Sequence, residues 1–586
     1  MEQKFQDTIK WINLDTRNFI LGTILIFIFY ILIICLVGNL YIGGIISIIS
    51  FSLIGYSNMR KLDMLGEPLY PVDFYQITHI KDLYKMAGGH SILIIIILLS
   101  AIFFISARIV RKLPKITLSW IFRATTIMFC IAMIYSYANF SKSFLKKFVE
   151  KSGIDVVLWN QPVNYSENGF VFGILSNLQT KVMDEPEGYS KESVLKIAEK
   201  YKAEADAINK ERTANLSVKP NIIFVMDETF WDPTRLNYLN FSEDPMKNIR
   251  SLKSQYSSGW LLSPSFGGET ANVEFEALTG LSMYNNIQGS VPYQQALDKK
   301  QGFPSIVSIL EDQNYDTVAV HPYNKVFYKR DKVYSSLGFN TFISESEIKY
   351  KDVFSKDSYI TDQSVVNQIV DLLKEKNKPV FIHAVTMQNH MPLFEDKYGG
   401  NSISISSSAD IGENNVKELE IYSEGIKKSD EAIKNLVDQV SKINEPTILV
   451  FWGDHLPALD SVIYEQWKNS NKQTFENDRV LGETPLLIYS NFNLKKDELN
   501  TISPAFLGVS IFDIMGSKLS PYYAMLESIK SELPGLRYNV LVDSKGDLKS
   551  KLSESEKNML NDYKMIQYDL LMGKQYSMPI LFNSNK

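Results

Sequence analysis

Cysteine is almost absent from this chain: 586 residues include two, Cys35 and Cys130, and both fall inside long apolar runs. Everything beyond Cys130 therefore lacks a thiol, which excludes a disulfide framework, a cysteine nucleophile and a thiolate-ligated metal there. A basic excess is missing too. The 61 Lys plus Arg against 66 Asp plus Glu give a net charge of -5, so nothing points to nucleic acid as a partner. No Gly-x-x-x-x-Gly-Lys-Ser/Thr loop occurs, and with it goes the commonest nucleotide-phosphate cradle. Histidine is scarce at six, yet His321, His383, His390 and His455 all lie in the second half.

What the chain does have is apolar length at one end. The mean hydropathy of -0.09 averages two unlike parts. From Asn18 to Met59 no side chain is charged. At about 1.5 Å rise per residue that is roughly twice a ~30 Å hydrocarbon layer, so it reads as two spanning helices broken near Gly38-Asn39. Further uncharged runs cover Met86 to Ala107 and Ala124 to Ser141. Between them lie Arg108, Arg111, Lys112, Lys115 and Arg123 with no acidic residue, and the positive-inside rule puts that loop in the cytoplasm. Residues 1–141 are thus expected to be a transmembrane helical domain of about four spans, a multi-pass anchor in the cell membrane, with the remainder extracellular.

Residues 142–220 read as linker helices, including an amphipathic stretch at 191–212. From Pro220 short apolar runs alternate with helix-length segments. Candidate strands are 222–226, 259–262, 317–320, 380–385, 447–452 and 485–489; candidate helices are 271–278, 304–312, 362–374, 416–443 and 504–514. This alternation predicts an α/β domain over 221–536 with a mostly parallel central sheet, followed by a C-terminal helical region, 537–586, packed on it. The serine-rich stretch Gly399 to Asn415 reads as a flexible loop near a pocket rim.

In such sheets ligands sit beyond the carboxyl ends of strands. The residues found there are Asp227-Glu228, His321, Thr386 to His390, and Gly453-Asp454-His455. Carboxylates and imidazoles converging from separate strands read as a metal site, and an oxygen and nitrogen set without thiolate suits Mn²⁺, Mg²⁺ or Zn²⁺. His383, inside an apolar strand, reads as a buried structural histidine. Thr270 follows Gly267-Gly268 and opens a helix-like run, where free amides and the helix dipole favour an anion.

Five segments together resemble the lipoteichoic-acid synthases and related membrane phosphoglycerol transferases of the sulfatase/alkaline-phosphatase superfamily. They are Asn221 to Glu228, Gly267 to Phe275, His321 with Phe327 to Asp331, Asn389 to Pro392 and Trp452 to His455, in the family's order. The resemblance implies an extracellular sulfatase-like catalytic domain in which Glu228, Thr270, Asp454 and His455 hold one cation, Mn²⁺ first. It implies Thr270 as the nucleophile, with His390, Arg330, His321 and Tyr328 lining a phosphoglycerol pocket. Two positions depart from the synthase pattern: Glu269 stands where those enzymes have Lys before the threonine, and Tyr323 where they have Asp. An arylsulfatase is disfavoured, since its formylglycine nucleophile is usually made from cysteine.

Chemically, a threonine hydroxyl needs a base or metal to attack phosphorus, and a guanidinium such as Arg330 can grip phosphate oxygens with two parallel hydrogen bonds. The expected activity is transfer of glycerol phosphate from phosphatidylglycerol to an acceptor hydroxyl through a Thr-linked intermediate. The acceptor would be a glycolipid or a growing polyglycerolphosphate, as in lipoteichoic-acid synthesis and cell-wall biogenesis. The alternatives are glycerol-phosphate decoration of a wall or capsular polysaccharide, and a non-catalytic lipid-headgroup sensor.

Overall fold

The computed structural model describes residues 16–65, 68–71, 73–74, most of 103–138, 143–151, 161–178, 181–212, 218–471, 474–494 and 496–582. The chain forms two compact units, residues 1–181 with 288–290, and residues 182–287 with 291–586.

In the first unit α1 (Thr16–Val37) and α2 (Leu40–Leu65) contain stretches long and apolar enough to cross a membrane; α3 (Trp120–Ala138) holds a shorter one. Gly38, at φ 74, ends α1 where the sequence places the break. The last carbonyls of α1 have no intrahelical donor, and Arg123 supplies one: Nε donates to Cys35 O at 2.6 Å and Nη2 to Leu36 O at 3.2 Å. Phe27, Phe104 and Phe129 are each more than half exposed, an apolar surface that water would penalise. The run from Met86 to Ala107 lies largely outside the described residues.

The second unit opens with α4 (Lys191–Ile208), which Ser190 caps and which buries Val194, Ala198, Tyr201 and Ala205 at helical spacing. Its sheet has eight strands: β1 (Asn221–Asp227), β2 (Ser257–Leu262), β3 (Asp316–Val320), β4 (Thr341–Ile343), β5 (Val380–Val385), β6 (Thr447–Gly453), β7 (Glu483–Ser490) and β8 (Glu498–Ile502), in spatial order β8-β2-β7-β6-β1-β5-β3-β4. Every pairing is parallel except those made by β7. Every residue of β1, β5, β6 and β7 is buried, so these strands are mostly apolar on both faces rather than alternating. The helices α7 (Asp362–Glu375) and α8 (Glu413–Val440) cover one face, packing Val366, Ile369, Ile433 and Leu436 against Ile223, Ile382 and Leu449.

The serine-rich stretch is not a plain loop. Ile405–Ser407 pairs antiparallel with Leu239–Phe241, and Ile403, Ile405 and Ile411 are buried in a satellite core with Trp231 and Leu456. Isoleucines at 403 and 405 share one face of an extended chain, a signal that the surrounding serines mask.

Candidate active site

Between β2 and the helix α5 (Thr270–Thr279) the chain turns through Gly267 (φ 63), Gly268 (φ 156) and Glu269 (φ 59). A side chain on Gly267 would meet the Ala458 Cβ at 2.9 Å as well as the φ penalty. Glu269 occupies left-handed space without being glycine, a strained state held by its neighbours: Asn272 Nδ2 donates to Glu269 Oε2 at 3.0 Å, and Ser265 Oγ to Glu269 O at 3.1 Å. The turn delivers Thr270 as the first residue of a wholly buried helix. Its hydroxyl donates to Glu228 Oε2 at 3.2 Å and lies 3.5 Å from His455 Nε2.

Glu228 follows β1; Asp454 and His455 follow β6, the adjacent strand. Their approach depends on Gly453, because a Cβ there would sit 1.8 Å from Phe230 O. Donor atoms of Glu228, Asp454 and His455 all lie within 4.8 Å of one another, and all three residues are buried. Asp454 Oδ1 accepts from Thr229 N at 2.6 Å and His455 N at 2.7 Å, while Oδ2 is buried 3.2 Å from His455 Nε2. His455 Nδ1 lies 2.9 Å from Leu456 O, a carbonyl that can only accept; Nδ1 therefore carries the proton and Nε2 presents its lone pair. Burial and the nearby Glu228 push Asp454 up to about 7. For Glu228 burial works upward, but His390 and His455 outweigh it and hold the carboxyl below its ordinary range. Two carboxylates, an imidazole nitrogen and a hydroxyl converging in a buried site fit a divalent cation by donor chemistry.

The four pocket residues expected from the sequence divide in two. His321, after β3, is 1% exposed; its Nδ1 donates to Val385 O at 3.1 Å and its Nε2 has no partner. Burial, aided by Arg330, pulls it down to about 3, so it is a neutral acceptor at physiological pH. His390, after β5, donates Nδ1–H to Met391 O at 2.8 Å and packs edge-on against Tyr359, whose ring also meets Tyr323. Tyr328 is buried at φ 55, with the Arg330 guanidinium 5.2 Å from its ring centroid.

Arg330 differs from expectation. It opens α6 (Arg330–Leu337), is 1% exposed, and does not present an open two-pronged fork. Its Nε and Nη2 donate to Glu274 Oε1 at 3.0 and 2.5 Å, leaving Nη1 alone without a partner. Tyr334 Oη donates to the other Glu274 oxygen at 2.5 Å, and His383 Nε2 lies 3.5 Å from it. Glu274 sits one helical turn after Thr270, so α5 carries both the hydroxyl and the carboxylate that orients the arginine. The sequence reading missed Glu274; its signal is a carboxylate four residues after the candidate nucleophile, one turn along the same helix.

The Sulfatase family model matches residues 220–517. A Rhizobium meliloti protein named for cyclic beta-1,2-glucan modification is 30% identical over 90% of this chain and 82% of its own length. A Bacillus subtilis protein described as lipoteichoic acid synthase-like, YvgJ, is 23% identical over 49% of this chain and 45% of its own. Among solved structures, the Streptococcus pyogenes phosphoglycerol transferase GacH in complex with sn-glycerol-1-phosphate matches with a TM-score of 0.59 and 30% identity. That match covers 69% of this chain and 99% of the other.

Proposed function

The chain belongs to the sulfatase family, and on that premise we propose that it is a membrane-anchored phosphoglycerol transferase acting on the outer face of the cell membrane. The observation that carries the reading is the Thr270 hydroxyl, set at a buried helix start within 3.5 Å of both Glu228 and His455. The likeness to a solved phosphoglycerol transferase supports it.

Glu228, Thr270, Asp454 and His455 would hold one divalent cation, Mn²⁺ in the first instance, with Mg²⁺ or Zn²⁺ as substitutes. Bound there, such an ion supplies Lewis-acid stabilisation of an alkoxide and of phosphoryl charge. The remaining work is done by the chain. Glu228 Oε2 holds the hydroxyl proton while Thr270 Oγ attacks the phosphorus of a phosphatidylglycerol headgroup. The bond to the diacylglycerol oxygen breaks, His390 Nε2 gives that oxygen a proton, and a glycerophospho-threonine remains. An acceptor hydroxyl then attacks the same phosphorus and gives its proton to His390, while the bond to Thr270 Oγ breaks and Glu228 Oε2 returns the proton it holds to that oxygen. Arg330 Nη1–H and the His321 Nε2 lone pair form a donor and acceptor pair suited to the glycerol hydroxyls, with Tyr328 packed beside them.

Two acceptors follow from two observations. The lipoteichoic-acid-synthase-like relative supports extension of a polyglycerolphosphate or priming of a glycolipid. The relative named for glucan modification matches far more of this chain and favours decoration of a polysaccharide. Together with Glu269 and Tyr323, it makes glycan decoration the reading to test first.

The test is incubation of the full-length protein with Mn²⁺ and fluorescent phosphatidylglycerol, followed by mass spectrometry of the peptide carrying Thr270. Diacylglycerol release and a glycerophosphate adduct on Thr270 are expected. Absence of diacylglycerol release under every divalent cation would sink the proposal, and release by Thr270→Ala would sink the nucleophile.

A further inference from the structure

Lys397 lies outside every role described so far. It is 0% exposed, the one lysine so deeply buried among the described residues. No carboxylate forms an ion pair with it there. Its Nζ donates instead to two backbone carbonyls, His390 O at 2.5 Å and Pro392 O at 3.1 Å. The rings of Tyr359 and Tyr398 flank it, with centroids 5.6 and 5.4 Å away.

An amine buried without a counter-charge is costly, and a methionine or leucine would fill the same volume without that cost. Burial pulls Lys397 down to about 7, against the upward pull of Glu228 and Asp362. A group kept under those conditions is expected to do something that an apolar side chain cannot. Here it draws in the carbonyls of residues 390 and 392. The carbonyl between them belongs to Met391, and it accepts not from Lys397 but from His390 Nδ1 at 2.8 Å and from Tyr359 Oη at 3.4 Å.

We propose that Lys397 is a positioning residue for His390: by holding the carbonyls on either side, it presents the Met391 carbonyl to Nδ1–H and so fixes the tautomer and aim of Nε2. The inference rests on the transferase reading, in which His390 meets the reacting phosphoryl group.

The test uses the full-length protein in detergent with Mn²⁺ and fluorescent phosphatidylglycerol, comparing wild type, Lys397→Met, Lys397→Arg, His390→Gln and the double variant Lys397→Met/His390→Gln. Lys397→Met is expected to lower kcat by about tenfold or more with little change in KM, and Lys397→Arg, which keeps donors in place, to recover part of that loss. The double variant should be no slower than His390→Gln alone, because the lysine acts only through the histidine. A stabilising thermal shift on adding Mn²⁺ reports an intact cation cluster independently of turnover. If Lys397→Met loses that shift, the same coupling is read from Lys397→Arg with and without His390→Gln. Additive losses, or a Lys397→Met enzyme with wild-type kinetics, overturn the role of Lys397 alone. A wild type that releases no diacylglycerol overturns the transferase reading and this inference with it.

Discussion

Arg330 and Glu274 form a charge pair that water does not reach, at 1% and 0% side-chain exposure. Breaking such a pair from one side leaves the other charge buried and uncompensated, which costs about 3–5 kcal/mol, whereas removing both charges can be nearly neutral. Glu274→Gln is therefore expected to lower the melting temperature sharply. Glu274→Gln/Arg330→Met should recover most of that loss while remaining inactive, because Nη1 is gone; thermal melts beside diacylglycerol release separate the two effects. A double variant as unstable as the single one would show that the pair is not the source of the loss. The same pair marks where a sequence stops being legible. Glu228, His321, His390, Asp454 and His455 each follow an apolar run, and a reactive side chain in that place stands out. Glu274 lies inside a helix buried on all sides, and the partner that explains it is 56 residues away.

The helix α5 poses the same question for a whole element, since all ten of its residues are buried and it still carries Glu274 and Glu276. Glu276 Oε1 accepts from Ser282 Oγ at 3.0 Å and Met283 N at 2.6 Å, fastening the helix end to the turn that follows. Burial pushes this carboxyl from its ordinary 4.5 up to about 8. Because the folded value lies above the unfolded one, the stabilising contribution is complete below pH 4.5 and is lost progressively as the pH rises toward 8. Glu276→Gln mimics the protonated form at every pH. It should match wild type near pH 4.5 and exceed it near neutrality by up to about 3 kcal/mol, at 1.36 kcal/mol per unit. Melting curves across pH 4 to 8 check this, and parallel curves for the two proteins would refute it. At this scale the strands were the most legible elements, because β1, β3, β5, β6 and β7 are short and mostly apolar. The edge strands β4 and β8 and the small pair Leu239–Phe241 with Ile405–Ser407 escaped, having only a few apolar residues and deriving their order from their partners.

For the molecule as a whole, charge distribution separated an apolar end from a catalytic end, and that division needed no tertiary information. The apolar runs were readable because a spanning helix must be apolar over its full length, whereas the pairing of β1 with both β5 and β6 depends on contacts some 150 to 230 residues apart, as with Ile222 against Phe381 and Thr447 against Asn221. The division itself has a consequence. The unit that begins at Val182 carries the sheet, its covering helices and the whole candidate site, so its chemistry should not require the apolar helices. On the proposed reading, those helices would instead confine the enzyme to the surface where a lipid substrate is concentrated, which acts as an effective concentration rather than as a contact. A protein comprising residues 182–586 is accordingly expected to keep a Mn²⁺-induced thermal shift and to turn over a short-chain, water-soluble phosphatidylglycerol at a rate close to that of the full chain. Against phosphatidylglycerol in vesicles, its kcat/KM should fall by about tenfold or more. Equal losses on both substrates would mean that the apolar helices help to build the site rather than merely hold it at the bilayer.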